Sequence, residues 1–180
     1  MANLGMRIRE KRLEQKMSIK ELASRTGLTS GFISQIERDQ TEPSITSLRK
    51  VAEALDVAIF HFFIEESSQN CVVRRNERQM IKFPHSHLTY ELLSPDLNRQ
   101  MEMFFATLEV GASTCEEPLS HKGEEVLLVL KGSMEIEISN ETHSLEEGDS
   151  IYYFASEPHR IENTGDKELE FISTITPPRF

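Results

Sequence analysis

One short segment carries three hydroxyl- or amide-bearing side chains that could hydrogen-bond to DNA bases, Ser30, Ser34 and Gln35, together with Gly31, which leaves room for a close approach. They fall on one side of a helix, while Ile33 and Ile36 fall on the other side and would point inward. Small side chains let a helix approach base edges closely, and hydroxyl and amide groups hydrogen-bond to those edges. The pattern therefore predicts a helix that reads DNA sequence.

The residues around this segment predict the helices that position it. Ser18 and Glu21 form a Ser-x-x-Glu capping box, so a helix should begin directly after Ser18. Gly27 can adopt a left-handed conformation at little cost and end that helix. Thr29 is a suitable N-cap for a second helix that runs to about Arg38. Two short helices joined by a tight glycine turn are the unit that places one helix in the major groove.

The block from residue 18 to residue 63 resembles the lambda-repressor-like helix-turn-helix domain of the xenobiotic-response-element family of bacterial regulators. The matching features are Ala23, Gly27-Leu28-Thr29, Ile33-Ser34-x-Ile36-Glu37, Pro43-Ser44 and Leu48-x-Lys50-Val51-Ala52-x-Ala54-Leu55. The resemblance covers roughly residues 3–66 and implies an all-α, five-helix domain that binds DNA. Its other elements would be a leading helix with Leu4 and Ile8, a fourth helix capped by Ser44, and a closing segment Phe60-His61-Phe62-Phe63.

The resemblance also implies a division of roles, because phosphate contacts set the register on DNA and base contacts set the sequence preference. The base readers would be Ser30, Gly31 and Ser34, and the residues near phosphates would be Gln35, Arg38 and Thr41. The chain departs from the family at Ile19, where many members carry a Gln that contacts a phosphate. Ile19 cannot make that contact, so this role does not transfer.

Length and cysteine content bound the class of protein. The 180 residues suffice for two small domains, each large enough to form a core without disulfides or metals. Cys71 and Cys115 are the only cysteines, and their spacing is not that of zinc ligands. We interpret them as incidental thiols of a cytoplasmic protein in a reducing compartment. No apolar run reaches the roughly 18 residues that cross a membrane, and we see no secretion signal.

Charge is distributed unevenly along the chain. Residues 1–64 contain ten Lys/Arg and eight Asp/Glu, a net charge of +2, whereas the other 116 residues contain ten and 22, a net charge of −12. The N-terminal part can therefore present a basic face to DNA although the whole chain has a net charge of −10. That face would consist of Arg7, Arg9, Lys11, Arg12, Lys16, Lys20, Arg25 and Arg38.

The sequence pattern changes after a short polar stretch at residues 65–70. We predict a helix-turn-helix domain at 1–66, a linker at 67–75, and a second domain at 76–180 with a β-barrel core at about 100–178. Its predicted strands are Tyr90–Leu93, Met101–Leu108, Glu125–Leu130, Met134–Ile138, Ile151–Phe154 and Glu168–Thr174. Short strands divided by turn signals, with no helical segment among them, favour an antiparallel sandwich or barrel.

Two stretches of this half resemble the signatures of the cupin superfamily, whose fold is an antiparallel double-stranded β-helix. The first runs from His121 through Glu125 to Gly132, and the second runs from Gly148 to Asn163 with Pro158-His159 inside it. Enzymatic cupins carry His-x-His-x3-Glu in the first stretch and a third His in the second, and these residues hold a divalent metal. The resemblance maps His121, Glu125 and His159 onto three of those positions and Leu119 onto the fourth.

Leucine cannot coordinate a metal, which weakens the case for a metal site without excluding it. Three interpretations of His121, Glu125 and His159 therefore stay open: an effector pocket without catalysis, a divalent-metal site, and a structural role. We expect an effector pocket lined by His121, Glu125, Tyr152 and His159, with no catalytic residue and no certain cofactor. A second string, His85-Ser-His87-Leu-Thr-Tyr-Glu91, also spells His-x-His-x3-Glu, but we interpret it as a solvated turn. His143 and His61 have no partner at the spacing of metal ligands, so we expect neither to belong to a functional site.

Together these patterns predict a cytoplasmic, homodimeric transcriptional regulator, with a repressor favoured, that is not an enzyme. Its partners would be double-stranded operator DNA and a small-molecule effector, and it would not bind membranes. The full-length resemblance to putrescine-responsive repressors of this architecture implies an effector with an amine. Two alternatives stay open: a cupin dioxygenase or isomerase with a tethered DNA-binding domain, and an antitoxin-like protein whose C-terminal half holds another protein.

Overall fold

The computed structural model describes residues 4–63, 71–82, 87–97 and 99–178. They fall into two units, Met1–Ile64 and Glu65–Phe180, each with buried apolar side chains of its own. The first part of the predicted linker, residues 67–70, lies outside the described residues. Its remainder carries no strand and ends in a 3-10 turn at Arg75–Glu77. No helix in the described ranges is long and apolar enough to span a bilayer.

Side-chain caps begin three helices of the N-terminal unit where the sequence predicts them, at Ser18, Thr29 and Ser44. The four α-helices are α1 (Leu4–Glu14), α2 (Ile19–Thr26), α3 (Ser30–Glu37) and α4 (Ile45–Ala54). The hydroxyl of Ser18 accepts from the backbone N–H of Glu21 at 3.1 Å, and the hydroxyl of Thr29 accepts from Phe32 at 3.1 Å. Gly27 has a φ of 69°, so the turn between α2 and α3 uses the left-handed conformation that favours glycine.

The closing segment is not a fifth α-helix. In the described part of this unit, α4 is followed by a 3-10 turn at Ile59–Phe62. Its N–H groups bond to carbonyls three residues back, His61 to Ala58 at 3.1 Å and Phe63 to Phe60 at 2.8 Å. Four residues cannot complete an α-helical hydrogen-bond ladder, yet the turn still buries Ile59, Phe60 and Phe62.

The C-terminal unit consists of two antiparallel sheets, as the cupin resemblance implies. Its strands are β1 (Met80–Lys82), β2 (Leu88–Leu92), β3 (Glu102–Leu108), β4 (Glu124–Lys131), β5 (Ser133–Ile138), β6 (Glu141–Glu146), β7 (Ser150–Phe154), β8 (His159–Glu162) and β9 (Leu169–Thr176). The larger sheet has the order β1-β2-β3-β9-β4-β7, and the smaller has the order β6-β5-β8. The sequence did not indicate β1, β6 or β8, because these strands are short or lack alternation: only Leu145 is buried in β6.

Strand alternation decides which side chains enter the interior of this unit. Along β4, Glu125, Leu127 and Val129 are buried, while Val126, Leu128 and Leu130 are exposed on the outer face. Glu125 is thus an acidic residue at a position where its strand otherwise buries aliphatic side chains. An ionised carboxylate at such a position requires compensating partners, and these define the site described below.

Candidate functional site

The predicted recognition surface of the N-terminal unit consists of residues on α3 and in the turn after it. Ser30, Gly31, Gln35 and Arg38 are exposed and Ser34 and Thr41 are half-buried. Ile33 and Ile36, on the opposite side of α3, are each only 1% exposed. The six predicted DNA-contacting residues therefore all remain accessible to a ligand that approaches α3 from outside.

The fold does not require a glycine at Gly31, which lies on this surface. A Cβ at Gly31 would meet nothing nearer than the Thr29 hydroxyl at 4.0 Å, and its backbone is not in the left-handed region. Gly5 behaves differently, because a Cβ there would lie 2.1 Å from the carbonyl oxygen of Ile36. Glycine at Gly5 lets α1 pack directly on α3, whereas glycine at Gly31 keeps the outer surface of α3 open.

Arg12 does not belong to the basic face, contrary to the sequence prediction. It is 6% exposed and donates to both carboxylate oxygens of Glu37, at 2.6 and 2.8 Å, and to the carbonyl of Met17 at 2.7 Å. This bidentate ion pair ties α1 to the end of α3. The same region is joined by the N–H of Gly5, which donates to Asp39 at 2.8 Å. Arg12 therefore positions the recognition helix.

Three predicted residues of the C-terminal unit converge in its interior. Oε2 of Glu125 lies 3.4 Å from Nε2 of His121 and 3.7 Å from Nε2 of His159. The three atoms lie within 4.8 Å of one another, and this is the one such cluster of metal-ligand side chains among the described residues. Glu125 and His159 are buried, with 5% and 6% exposure, and His121 is half-buried. We call these three residues the His-Glu-His triad.

Strand pairing and one tight turn bring the triad together. Glu125 lies on the inner face of β4, and His159 begins β8 in the opposite sheet. His121 lies in the loop before β4, and its backbone N–H donates to the carbonyl of Ala155 at 2.8 Å. Gly123, between the two, has a φ of 110°, and a Cβ there would lie 2.2 Å from the carbonyl oxygen of Thr176. Glycine is thus required for this loop to bring His121 over the carboxylate.

Backbone carbonyls orient both imidazoles of the triad. Nδ1 of His121 lies 3.2 Å from the carbonyl of Lys122, and Nδ1 of His159 lies 2.9 Å from the carbonyl of Glu157. Since carbonyls only accept, both Nδ1 atoms carry a proton, and both Nε2 atoms face Glu125. The Nε2 of His121 is buried and has no hydrogen bond of acceptable geometry. Its 3.4 Å contact with Glu125 therefore needs a proton or another cation.

The carboxylate of Glu125 is held in its ionised form. Burial alone would raise the pKa of Glu125, but the imidazoles of His121 and His159, 3.4 and 3.7 Å away, and the Ser173 hydroxyl bring that pKa below its ordinary value. The Ser173 hydroxyl donates to Oε1 at 2.5 Å. The triad therefore holds an ionised carboxylate inside the barrel.

Leu119 occupies the place beside His159 that a further ligand would need. The two residues exchange backbone hydrogen bonds, at 3.0 and 2.9 Å, so their side chains leave the pair on the same face. Leu119 therefore shares a face with His159 at the sequence position where enzymatic cupins carry a further histidine.

Tyr152 does not line this interior, and the prediction that it does is wrong by one residue. Glu125 pairs with Tyr153 across β4 and β7, so Tyr153 shares the inner face while Tyr152 points outward with 59% exposure. The Tyr152 hydroxyl donates to Glu124, and this hydrogen bond raises the pKa of Tyr152. The ring of Tyr153 is instead buried, with its centroid 5.0 Å from that of His159. Only the pairing register distinguishes the two tyrosines.

The other histidines and the cysteines contribute no second site in the described ranges. His85 of the alternative motif lies outside them, and His87 forms an exposed contact with Glu109 at 2.8 Å. His143 is exposed beside Glu141. Burial, with the charge of Lys11, lowers the pKa of His61, which packs edge-on against Phe62. Cys71 and Cys115 are both unbridged.

Comparison with known proteins matches both units. A helix-turn-helix family profile matches residues 8–62, and a cupin domain profile matches residues 104–175. The HTH-type transcriptional regulator PuuR of Escherichia coli (strain K12) is 31% identical over 178 residues, covering 98% of this chain and 96% of PuuR. The HTH-type transcriptional regulator SutR of the same strain is 24% identical over 176 residues, with coverage of 98% and 96%.

Solved structures extend the match to the fold. An HTH_3 family transcriptional regulator from Vibrio cholerae superposes with a TM-score of 0.81 at 24% identity, over 99% of this chain and 97% of that one. The enzyme HppE in its Fe(II) form superposes with a TM-score of 0.51 at 18% identity, over 96% and 97%. At these identities both similarities concern the fold alone.

Proposed function

The chain belongs to the helix-turn-helix transcriptional regulators that carry a C-terminal cupin domain. We propose that it is a homodimeric repressor that releases DNA when its cupin unit binds an amine. The observation that carries the proposal is the anionic, buried Glu125 with two imidazole Nε2 atoms directed at it. The protein would act in the cytoplasm on operator DNA.

In the DNA-binding half of the proposal, Ser30, Gly31 and Ser34 read base edges, and Gln35, Arg38 and Thr41 contact phosphates. The exposure of these residues and the open space at Gly31 support the assignment. One recognition helix reads only a few base pairs, so two copies on half-sites about one helical turn apart give useful affinity and selectivity. This requirement is the reason for proposing a homodimer.

A primary ammonium group suits the acceptors of the triad. It has three N–H donors, and the triad offers three acceptor atoms: Oε2 of Glu125 and Nε2 of His121 and His159. Because these atoms lie within 4.8 Å of one another, a nitrogen can sit above them at hydrogen-bond distance from each, about 2.9 Å. The positive charge would also neutralise the buried carboxylate, as the low-dielectric interior requires.

A divalent metal is the second candidate for the same position. The two imidazoles are held through Nδ1 by carbonyls, which is the usual arrangement of metal-bound histidines, and the buried Nε2 of His121 has no hydrogen bond. Donor atoms bound to one tetrahedral zinc lie roughly 3.4 Å apart, close to the His121–Glu125 distance. The residues therefore fit a metal, which would supply a Lewis acid to which an effector could bind.

We propose no turnover at this site. Leu119 fills the position of the fourth ligand, and the partners of Glu125 (two imidazoles and the Ser173 hydroxyl) hold it as an anion instead of presenting it as an acid or base near neutral pH. The fold is shared with the enzyme HppE, but the nearly full-length relatives PuuR and SutR are named as regulators.

The experiment is metal analysis of the purified full-length protein followed by calorimetric titration with putrescine, amino acids and sugars. Wild type should bind the amine in its metal-free form, and Glu125→Gln should lose that binding by at least about tenfold, as expected for a charge-assisted contact. Glu124→Gln removes the neighbouring carboxylate of the outer face and serves as the matched control. Stoichiometric metal with substrate conversion, or amine binding that is unchanged in Glu125→Gln, would contradict the proposal.

A further inference from the structure

The outer face of the larger sheet carries an unusual number of exposed apolar side chains. In β4, Val126, Leu128 and Leu130 are 37%, 38% and 38% exposed, and in the adjacent edge strand β7 Tyr152 and Phe154 are 59% and 61% exposed. Met103 of β3 adds a further 40% exposed side chain. We refer to these six residues as the outer apolar face.

Strand register makes this face contiguous. Val126 is opposite Tyr152 on one side, and Leu128 is opposite Ile172 of β9 on the other. Ile172 is in turn opposite Phe105 of β3, and both are half-buried. Directly opposite side chains on one sheet face lie about 5 Å apart, so the apolar surface runs unbroken from β7 across β4 and β9 to β3.

The size and composition of the face are those of an interface centre. Its side chains expose on the order of 500 Å² of apolar surface, near the largest patch of a typical monomer. A standard interface buries roughly 800 Å² per partner, and its centre is enriched in Tyr, Phe and Met and depleted of charge. The charged groups that flank the face are paired: Lys131 pairs with Glu170 at 2.8 Å, Arg78 pairs with Glu91 at 3.1 Å, and Glu124, opposite Phe154, accepts from Tyr152.

We propose that this face binds the same face of a second copy of the chain, across a two-fold axis near Val126 and Leu128. Residues 65–180 carry a net charge of −12, so two copies approach each other most readily through a surface poor in acidic groups, and the centre of the outer apolar face around Val126 and Leu128 is such a surface. A face that packs on its own copy gives a closed dimer. The assignment rests on the homodimer proposed above and names the surface that forms it.

Sedimentation velocity on full-length variants tests this interface. Leu128→Glu and Leu128→Lys should each shift the dimer dissociation constant by at least about thirtyfold, the effect of losing a central interface residue. An equimolar mixture of the two should recover the dimer, because opposite charges then meet near the axis. Val110→Glu is the matched control, since Val110 is 56% exposed but lies in the turn after β3, and it should remain dimeric.

The possible results separate the interface from the dimer itself. A dimeric wild type with equally dimeric Leu128→Glu and Leu128→Lys proteins would overturn the interface and leave the homodimer standing. A wild type that is monomeric both alone and on operator DNA would overturn the homodimer. That result would also be the one expected if a different protein covered this face. If the charged variants fail to fold by circular dichroism, Phe154→Ala should weaken the dimer alone, and an unchanged dissociation constant would count against the interface.

Discussion

Replacing Arg12 by Met should destabilise the helical unit more than any surface charge change of the same kind. The guanidinium makes three hydrogen bonds, two to Glu37 and one to the carbonyl of Met17, and both charged side chains are less than 8% exposed. Arg12→Met leaves the Glu37 carboxylate buried without its partner. Removing one member of a buried ion pair typically costs about 3–5 kcal/mol of unfolding free energy.

The double variant Arg12→Met/Glu37→Leu should recover most of that loss. It removes both charges and leaves chiefly the carbonyl of Met17 without its donor, which costs about 1 kcal/mol. The coupling between the two positions should therefore be several kcal/mol. Lys11→Met is the matched control, because Lys11 pairs with Glu14 at the surface at 3.1 Å, and such pairs are worth under about 1 kcal/mol.

Denaturant unfolding of the full-length protein, followed by circular dichroism at the helix band, measures these differences. All three tyrosines are in the C-terminal unit, so tyrosine fluorescence reports that unit separately in the same titration. Operator affinity should fall with the helical signal, since the pair fixes α3 against α1. Equal destabilisation by Arg12→Met and Lys11→Met, or additive effects of Arg12→Met and Glu37→Leu, would refute the reasoning.

Three further predictions concern the two binding sites. Gly31→Ala should keep the unfolding free energy within about 1 kcal/mol, because the added methyl meets open space, yet it should weaken operator binding and change the preferred bases in a binding-site selection. Arg38→Ala should weaken binding to all sequences and reduce the slope of log affinity against log salt by about 1, measured by fluorescence anisotropy. The pKa of Glu125 is lowered in the folded protein, so its ionised form stabilises the barrel at pH values above the ordinary carboxyl pKa of about 4.3. This stabilisation is lost as the pH falls further. Tyrosine-monitored unfolding should show the extra acid sensitivity in wild type and not in Glu125→Gln.

Each of these has a clear contrary result. Unchanged sequence preference in Gly31→Ala would remove Gly31 from the base-reading residues. A salt slope in Arg38→Ala equal to that of wild type would mean that Arg38 contacts no phosphate. Parallel pH profiles for wild type and Glu125→Gln below pH 4 or so would mean that Glu125 is not held as an anion in the folded barrel.

The sequence predicted the helices well because their boundaries depend on local chemistry. The hydroxyls of Ser18, Thr29 and Ser44 cap helices in the structure, and Gly27 makes the left-handed turn. The convergence of the triad was also predictable, although only through the resemblance to cupins. His121 and Glu125 are close in the chain, whereas His159 reaches them across the two sheets.

The errors arose where tertiary pairing overrides local pattern. Tyr152 and Tyr153 are equivalent in sequence, and only the pairing of Tyr153 with Glu125 selects the inner residue. Arg12 was assigned to the basic face from its charge alone, yet Glu37, 25 residues away, holds it in the core. Strand β6 exposes every residue except Leu145, so no alternation marks it.

The most direct measurement is operator affinity of the full-length protein at increasing putrescine concentration, for wild type and Glu125→Gln in parallel. We expect the amine to weaken operator binding by wild type at least about tenfold, within the usual range of allosteric coupling, and to leave Glu125→Gln bound. Both proteins should bind the operator equally without amine, since Glu125 lies inside the C-terminal unit and the proposed DNA contacts lie on α3 and in the turn after it. Operator affinity that does not respond to the amine in wild type, or that responds equally in both proteins, would contradict a regulator controlled through the His-Glu-His triad.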